Sequence, residues 1–319
     1  MRTYTQIFNL INNESKEIIF PNSPSNLYDP IRYFLLDGGK RIRPVLTLLS
    51  HQIFSDDLEK SILPSLGIEF FHNFTLIHDD IMDKAPVRRG KKTIHRKWNK
   101  NIAILAGDSV LVHSYDLLRS VRKDCLNEVL SEFNESAKKV CEGQQMDMDF
   151  EYLKLVSENE YLKMIEYKTA VLIAISLKIG AINGGSTKSE AENLYDFGIN
   201  MGLSFQIKDD LLDVFGQSNK IGKQIGGDIL SAKKTILYVR ALNIADDKTR
   251  KKLIDIYHGS NVTKVEEIKE IYQSLNIEYE VKNTMNYFHK KAMRSLDKIQ
   301  SVKKNELIRF VEEINNRIV

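Results

Sequence analysis

Two apolar stripes at helical spacing each run directly into a pair of adjacent aspartates, with a third aspartate three residues further on. Leu66, Phe70, Phe74, Ile77 and Ile81 form the first stripe, which carries His78-Asp79-Asp80-Ile81-Met82-Asp83. Leu194, Phe197, Met201 and Phe205 form the second, ahead of Asp209-Asp210-Leu211-Leu212-Asp213. That period predicts helices for both segments. On a helix, residues four apart share a face, so Asp79 faces Asp83 and Asp209 faces Asp213. One such cluster reads as a solvated acidic face. Two clusters of identical spacing, 130 residues apart, read otherwise. Like charges four apart repel, and a hard divalent cation with oxygen ligands is the counter-ion that offsets the cost.

The rest of the chain agrees with an all-helical fold. Alternating β-branched segments joined by tight turns are scarce, and Leu46, Leu49 and Ile53 repeat the helical spacing. Breakers mark loops at Pro21 to Pro30, Gly38-Gly39, Lys84 to Lys92, Gly184-Gly185 and Gly216 to Gly227. No repeat of solenoid length and no low-complexity linker divides the sequence, so residues 1–319 are expected to form a single domain.

Composition excludes several classes. Forty-six cationic against 43 acidic residues, net +3, is no nucleic-acid signature. The most apolar run, Val171 to Ile182, is short and holds Lys178, so no membrane insertion is expected. The first twenty residues lack a signal-peptide pattern. Cys125 and Cys141 form no metal-ligand spacing, which disfavours zinc and fits a reducing cytoplasm.

Basic, glycine-containing segments accompany the acid. Gly38-Gly39-Lys40-Arg41-Ile42-Arg43-Pro44 precedes a helix, Arg88-Arg89-Gly90-Lys91-Lys92 follows the first cluster, and Gly222-Lys223-Gln224-Ile225-Gly226-Gly227-Asp228 with Lys233-Lys234 follows the second. Glycine permits close backbone approach to an anion, and Lys and Arg give charge-assisted bonds to phosphate. Acid for a metal and base for phosphate, present twice, points to diphosphate chemistry. The run at 88–92 has no interleaved aromatics, so nucleic acid is not its expected partner.

These elements resemble those of the trans-type isoprenyl diphosphate synthases. The matching segments are GGKRIRP at 38–44, HNFTLIHDDIMD at 72–83, RRG at 88–90, EGQQMD at 142–147, EYKTA at 166–170, FQIKDDLLD at 205–213 and GKQIGGDI at 222–229, in the family's order. The resemblance implies a helical bundle around a central active-site cavity, and a short-chain prenyltransferase that joins isopentenyl diphosphate to an allylic diphosphate. Geranylgeranyl diphosphate is favoured as product over farnesyl diphosphate. It further implies Mg2+ as cofactor, held by Asp79 and Asp83 with Asp80 beside them, and by Asp209 in the cluster shared with Asp210 and Asp213. Arg88, Lys168 and Lys223 match positions on the allylic diphosphate. Lys40, Arg43, His72 and Arg89 match the isopentenyl diphosphate site. Thr169, Gln206 and Lys233 match positions near the reacting centre, and Gln144 and Asp147 resemble supports of the first cluster. The resemblance also implies a homodimer. Some members close the site with a strongly basic tail, whereas this sequence ends Asn-Asn-Arg-Ile-Val and Arg317 is not counted in the site.

The implied chemistry is ionisation, condensation and elimination, with no protein nucleophile. His78 adjoins the aspartates, but a helix histidine there is more often structural. The family's chain-length ruler lies just before the first cluster. Phe71 and Phe74 share a helix face and Thr75 is small, a pattern that resembles geranylgeranyl synthases more than farnesyl synthases; core packing is the plainer reading of the two rings. Two further alternatives stand. A class I terpene cyclase would share the fold but usually replaces the second cluster with an Asn/Ser/Glu motif and lacks GGKRIRP. A non-catalytic partner subunit of a heteromeric synthase tends to lose one cluster. A helical scaffold without ligand leaves the paired acid and base unexplained.

Overall fold

The computed structural model describes residues 1–319 apart from 36–38, 217–225, 260–262 and 318–319 and the side chains at 316 and 317. Among the described residues the chain is helical nearly throughout, as the periodicity predicts, and falls into two compact units. The first comprises residues 1–133, 176–192 and 301–307, and the second residues 134–175, 193–300 and 308–319.

In the first unit, α1 (Tyr4–Glu17) opens on a capping box in which Thr3 and Gln6 exchange hydrogen bonds. The next helix, α2 (Ser25–Leu35), begins inside the Pro21 to Pro30 stretch that the sequence reads as a breaker. Its entry follows Pro24, and Pro30 sits within the helix, buried with Ile31, Phe34 and Leu35. Burial of that apolar face outweighs the local cost of the proline. α3 (Ile42–Phe54) is buried on every side from Pro44 to Ile53. α4 (Glu59–Met82) is the long helix of the unit, and α6 (Lys100–Leu118) packs along it. Of the first stripe, Leu66, Phe70 and Ile77 are buried, while Phe74 and Ile81 are half-buried at the helix's C-terminal end.

The loop expected over Lys84 to Lys92 contains a small antiparallel hairpin. β1 (Val87–Arg88) pairs with β2 (Lys91–Lys92), and α5 (Ile94–Lys97) follows. Arg89 and Gly90 form its two-residue turn at φ 52 and 77, the pair of left-handed positions that suits strand twist and that glycine adopts without strain. Tyr33 pins the hairpin by donating its hydroxyl to the Lys92 carbonyl at 2.9 Å.

The second unit holds most of α7 (Leu126–Phe150), then α8 (Glu158–Ile165), a π-helical turn at Glu166–Ala170, the start of α9 (Val171–Gly184) and most of α10 (Lys188–Phe215). α11 (Gly227–Leu230), α12 (Ile236–Ile244), α13 (Asp247–His258), α14 (Lys264–Ser274) and α15 (Ile277–Asp297) complete its core, and α16 (Asn305–Arg317) closes the chain. The core includes Ile207, Leu211 and Val214 of α10 with Ile236, Leu237 and Tyr238 of α12. In the second stripe Leu194, Phe197 and Met201 are buried and Phe205 is half-buried. No helix of the described residues is long and apolar enough to cross a membrane.

Candidate active site

The first acidic cluster occupies the C-terminal end of α4. Asp79 and Asp80 lie in its last turn, and Asp83 caps it through its backbone N–H to the Asp79 carbonyl at 2.8 Å. The three carboxylates have different environments. Asp83 is exposed, Asp79 half-buried and Asp80 buried. The hairpin turns Arg88 back onto this end. Its Nε donates to Asp80 Oδ1 at 2.7 Å and its Nη2 to Asp79 Oδ2 at 3.4 Å. Burial nevertheless pushes the Asp80 carboxyl up to about 6, against the pull of Arg88 and with the help of Asp79 and Asp83. Asp80 Oδ2 is buried without a hydrogen-bond partner.

A basic group gathers beside it. Lys40 is exposed just ahead of α3, and Arg43 is half-buried in the first turn of α3. Burial lowers the Arg43 guanidinium to about 10, opposed by Glu69. His72, about two turns before Asp79, is driven well below its ordinary value by burial and then by Arg43, Arg89 and Arg88, so the imidazole is neutral at physiological pH. Arg89 is exposed and lies over the Phe34 ring at 5.8 Å from its centroid. The hairpin does have aromatic neighbours, but they come from other elements: the Lys91 ammonium lies 5.6 Å from the Tyr33 centroid, and Tyr33 meets Trp98 edge-on at 5.3 Å.

His78 turns away from its neighbours in sequence. Its ring packs on Phe74 at 4.8 Å, and its Nε2 sits 3.2 Å from the Ile104 carbonyl. These contacts match the structural reading. Phe71 and Phe74 touch each other at 5.6 Å but differ in setting. Phe71 is 2% exposed and meets Phe133 edge-on at 5.0 Å, whereas Phe74 is half-buried. Thr75 spends its hydroxyl on the His72 carbonyl at 2.8 Å.

The second cluster ends α10 and repeats the asymmetry. Asp209 is exposed, Asp213 half-buried and Asp210 buried. Asp210 accepts from the Tyr161 hydroxyl at 2.6 Å, the Gln206 amide at 3.1 Å and the Ile236 backbone N–H at 3.3 Å. Burial and Asp228 push Asp210 up to about 7 in spite of these donors. Asp213 accepts from the Asp228 N–H at 3.0 Å and so ties α10 to the start of α11. In both clusters the middle aspartate is thus bound to protein donors, while the most exposed carboxylate is an outer one.

Lys168 and Thr169 sit on the π-helical turn. Such turns widen a helix locally and redirect side chains. α7 passes so close that a Cβ on Gly143 would lie 2.3 Å from the Lys168 nitrogen, so only glycine fits there. Lys168 Nζ is 2.5 Å from Asp147, and Thr169 donates to Gln206 Oε1 at 3.1 Å. Gln206 therefore has one orientation, accepting from Thr169 and donating to Asp210. Gln144 lies on α7 one turn before Asp147, and Lys233 is half-buried with its N–H on the Asp228 carbonyl at 2.9 Å. Lys223 lies outside the described residues.

Two residues were missed by sequence reasoning. Glu69 is buried beneath the arginines and hydrogen-bonded to Arg41. Its signal was a lone acidic residue in the apolar stretch Leu66–Phe71. Tyr161 gave no signal, because its partner Asp210 is 49 residues away.

Among the described residues no three His, Cys, Asp or Glu side chains converge on a single point. The donor set still suits a hard cation. Only carboxylate oxygens are offered, and magnesium typically takes one or two carboxylates plus water and substrate phosphate.

The polyprenyl synthetase family model matches residues 24–275. The short chain isoprenyl diphosphate synthase of Methanocaldococcus jannaschii is 40% identical over 263 residues, 82% of this chain and 80% of that one. The geranylgeranyl pyrophosphate synthase of Geoglobus acetivorans is 43% identical over 234 residues, 73% of each chain. Among solved structures, the geranylgeranyl pyrophosphate synthetase of Pyrococcus horikoshii Ot3 superposes with a TM-score of 0.90 at 32% identity, over 97% of this chain and 98% of that one.

Proposed function

The chain belongs to the polyprenyl synthetase family, and from that premise we propose that it is a prenyltransferase that condenses isopentenyl diphosphate with an allylic diphosphate and releases diphosphate. The product is geranylgeranyl diphosphate, with farnesyl diphosphate second, as the names of the relatives support. The observation that carries this reading is the repeated build of the two acidic helix ends: protein donors hold the middle aspartate of each, Arg88 on Asp80 and Tyr161 with Gln206 on Asp210, and an outer carboxylate, Asp83 or Asp209, is exposed. The family match runs through both compact units, which supports reading the whole chain as one catalytic domain. Intact clusters favour a catalytic chain over a non-catalytic partner subunit, and GGKRIRP with a second DDxxD favours a synthase over a terpene cyclase.

Asp79, Asp83 and Asp209 hold Mg2+, and Asp80 and Asp210 set the cluster geometry through their protein donors. When bound, the metal ion neutralises charge on the diphosphate that departs. Arg88, Lys168 and Lys223 hold the allylic diphosphate. Lys40, Arg43, His72 and Arg89 hold isopentenyl diphosphate, with neutral His72 donating a single N–H. Preset donors of this kind stabilise developing charge without reorganisation. Gln206, held by Thr169 and Asp210, presents an amide dipole of fixed direction near the reacting carbons. Phe74 limits the growing chain, with Phe71 behind it. The enzyme works as a homodimer in the cytoplasm, with no nucleic acid and no membrane insertion.

Labelled isopentenyl diphosphate, supplied with dimethylallyl, geranyl or farnesyl diphosphate and with magnesium or a chelator, tests the reading. A C20 product that needs the metal is expected. No condensation with any primer would refute it.

A further inference from the structure

Arg41 stands between two residues assigned to the isopentenyl diphosphate site, yet its side chain turns inward. Its backbone takes the left-handed conformation at φ 45, an unfavourable state for a residue with a Cβ. Its guanidinium is 6% exposed and faces Glu69, which is 4% exposed, with Nη1 to Oε1 at 3.0 Å. Nη2 donates to the Leu35 carbonyl at 3.1 Å, and Nε is buried without a hydrogen-bond partner. Behind the pair lies a cavity of about 290 Å³, lined among others by Arg41, Glu69, Leu66 and Phe70. Open space rather than tight packing adjoins Arg41 on that side, so its hydrogen bonds are what fix it.

The consequences reach the surface. The Lys40–Arg43 segment turns about Arg41, so its direction depends on where that side chain is anchored. A Cβ on neighbouring Gly39 would sit 3.2 Å from Arg89 Nη2, so the hairpin arginine lies against the same turn. Glu69 is a buried negative charge beside this group, and its field, joined at Arg89 by that of Asp80, stabilises the charged forms of Arg43 and Arg89 as well. A cluster of cations with no buried counter-charge would repel itself apart when no diphosphate is bound.

We infer that the buried Arg41–Glu69 pair is a positioning device that holds Lys40, Arg43 and Arg89 in their diphosphate-binding arrangement before substrate arrives. This rests on the reading of those residues as the isopentenyl diphosphate site. Neither Arg41 nor Glu69 touches substrate.

The test is steady-state kinetics with both substrates varied, on Glu69→Gln and on the double variant Arg41→Met with Glu69→Leu. Replacing both members of a buried pair by apolar residues of similar volume often preserves stability, so the double variant separates positioning from folding. Both variants should raise KM for isopentenyl diphosphate roughly tenfold or more, with a much smaller change in kcat and in the allylic KM. Glu69→Asp should recover part of the loss. A folded double variant with an unchanged isopentenyl KM overturns the proposal, as does an equal rise in both KM values. Loss of the fold in both variants would make the pair a structural strut and overturn it too. Arg43→Ala is the control. If it raises the isopentenyl KM and the double variant does not, positioning alone has failed. If it leaves that KM unchanged, the site reading has failed and the proposal with it.

Discussion

The guanidinium of Arg88 reaches back over eight residues to place its Nε 2.7 Å from Oδ1 of Asp80, the most buried carboxylate of the first cluster. A two-residue turn makes this possible, since it reverses the chain immediately after Arg88. The bond ties Asp80 into the fold at a buried position, whereas Asp83 is exposed. Asp80→Ala should therefore lower stability by about 1.5–3 kcal/mol, the usual worth of hydrogen bonds to charged groups. Asp83→Ala, at an exposed position, should cost less than Asp80→Ala. Urea denaturation of the two variants checks the contrast, and equal midpoints would contradict it.

The ruler gives a second prediction. Phe74 is half-buried, so Phe74→Ala should lengthen the product while leaving most protein folded. Phe71 belongs to a buried aromatic group with Phe133, so Phe71→Ala should cost about 3–5 kcal/mol. The double variant should lengthen the product further per folded molecule. Chain-length analysis of products decides it. A folded, active double variant with an unchanged product distribution would make both rings core packing.

A third prediction concerns pH. His51 is buried, with Nε2 2.9 Å from the Asp57 carbonyl and Nδ1 2.7 Å from the Ser61 hydroxyl. Burial lowers its pKa from the ordinary 6.5; Arg122 adds to this, and Asp57 opposes it. Below 6.5 the unfolded chain then binds more protons here than the folded one. The stability this group contributes is complete above that pH and is lost as pH falls towards the folded pKa. His51→Gln should show a flatter decline as pH falls below about 6.5. Parallel declines in the two proteins would contradict the assignment.

Much of this was legible in the sequence because it is periodic or local. The apolar stripes before Asp79 and Asp209 have helical spacing, and the acidic triplets are contiguous, so both helices and both clusters could be read directly. The hairpin at 87–92 was not, because two-residue strands carry no period and only the Arg89-Gly90 turn marks it. Pro30 read as a breaker, since its local cost is visible in sequence and the burial that offsets it is not. The π-helical turn at 166–170 was not legible either, since its close packing against Gly143 is a tertiary fact. The inequality within each cluster was also hidden. Asp79 and Asp80 look alike in sequence, and it is deeper burial and the shorter bond from Arg88 that set Asp80 apart. Asp210 differs from Asp209 through Tyr161 and Ile236, which are distant along the chain.

Magnesium-dependent turnover in wild type, Asp83→Ala and Asp209→Ala tests most directly whether exposed carboxylates of both clusters serve diphosphate chemistry. Rates are normalised to folded protein and measured across a magnesium titration. Wild type should turn over only with the metal. Each variant should keep its fold and lose turnover by roughly 10²-fold or more, as removal of a group that stabilises transition-state charge does. Full activity in either folded variant, or wild-type turnover that persists in chelator, would contradict the account.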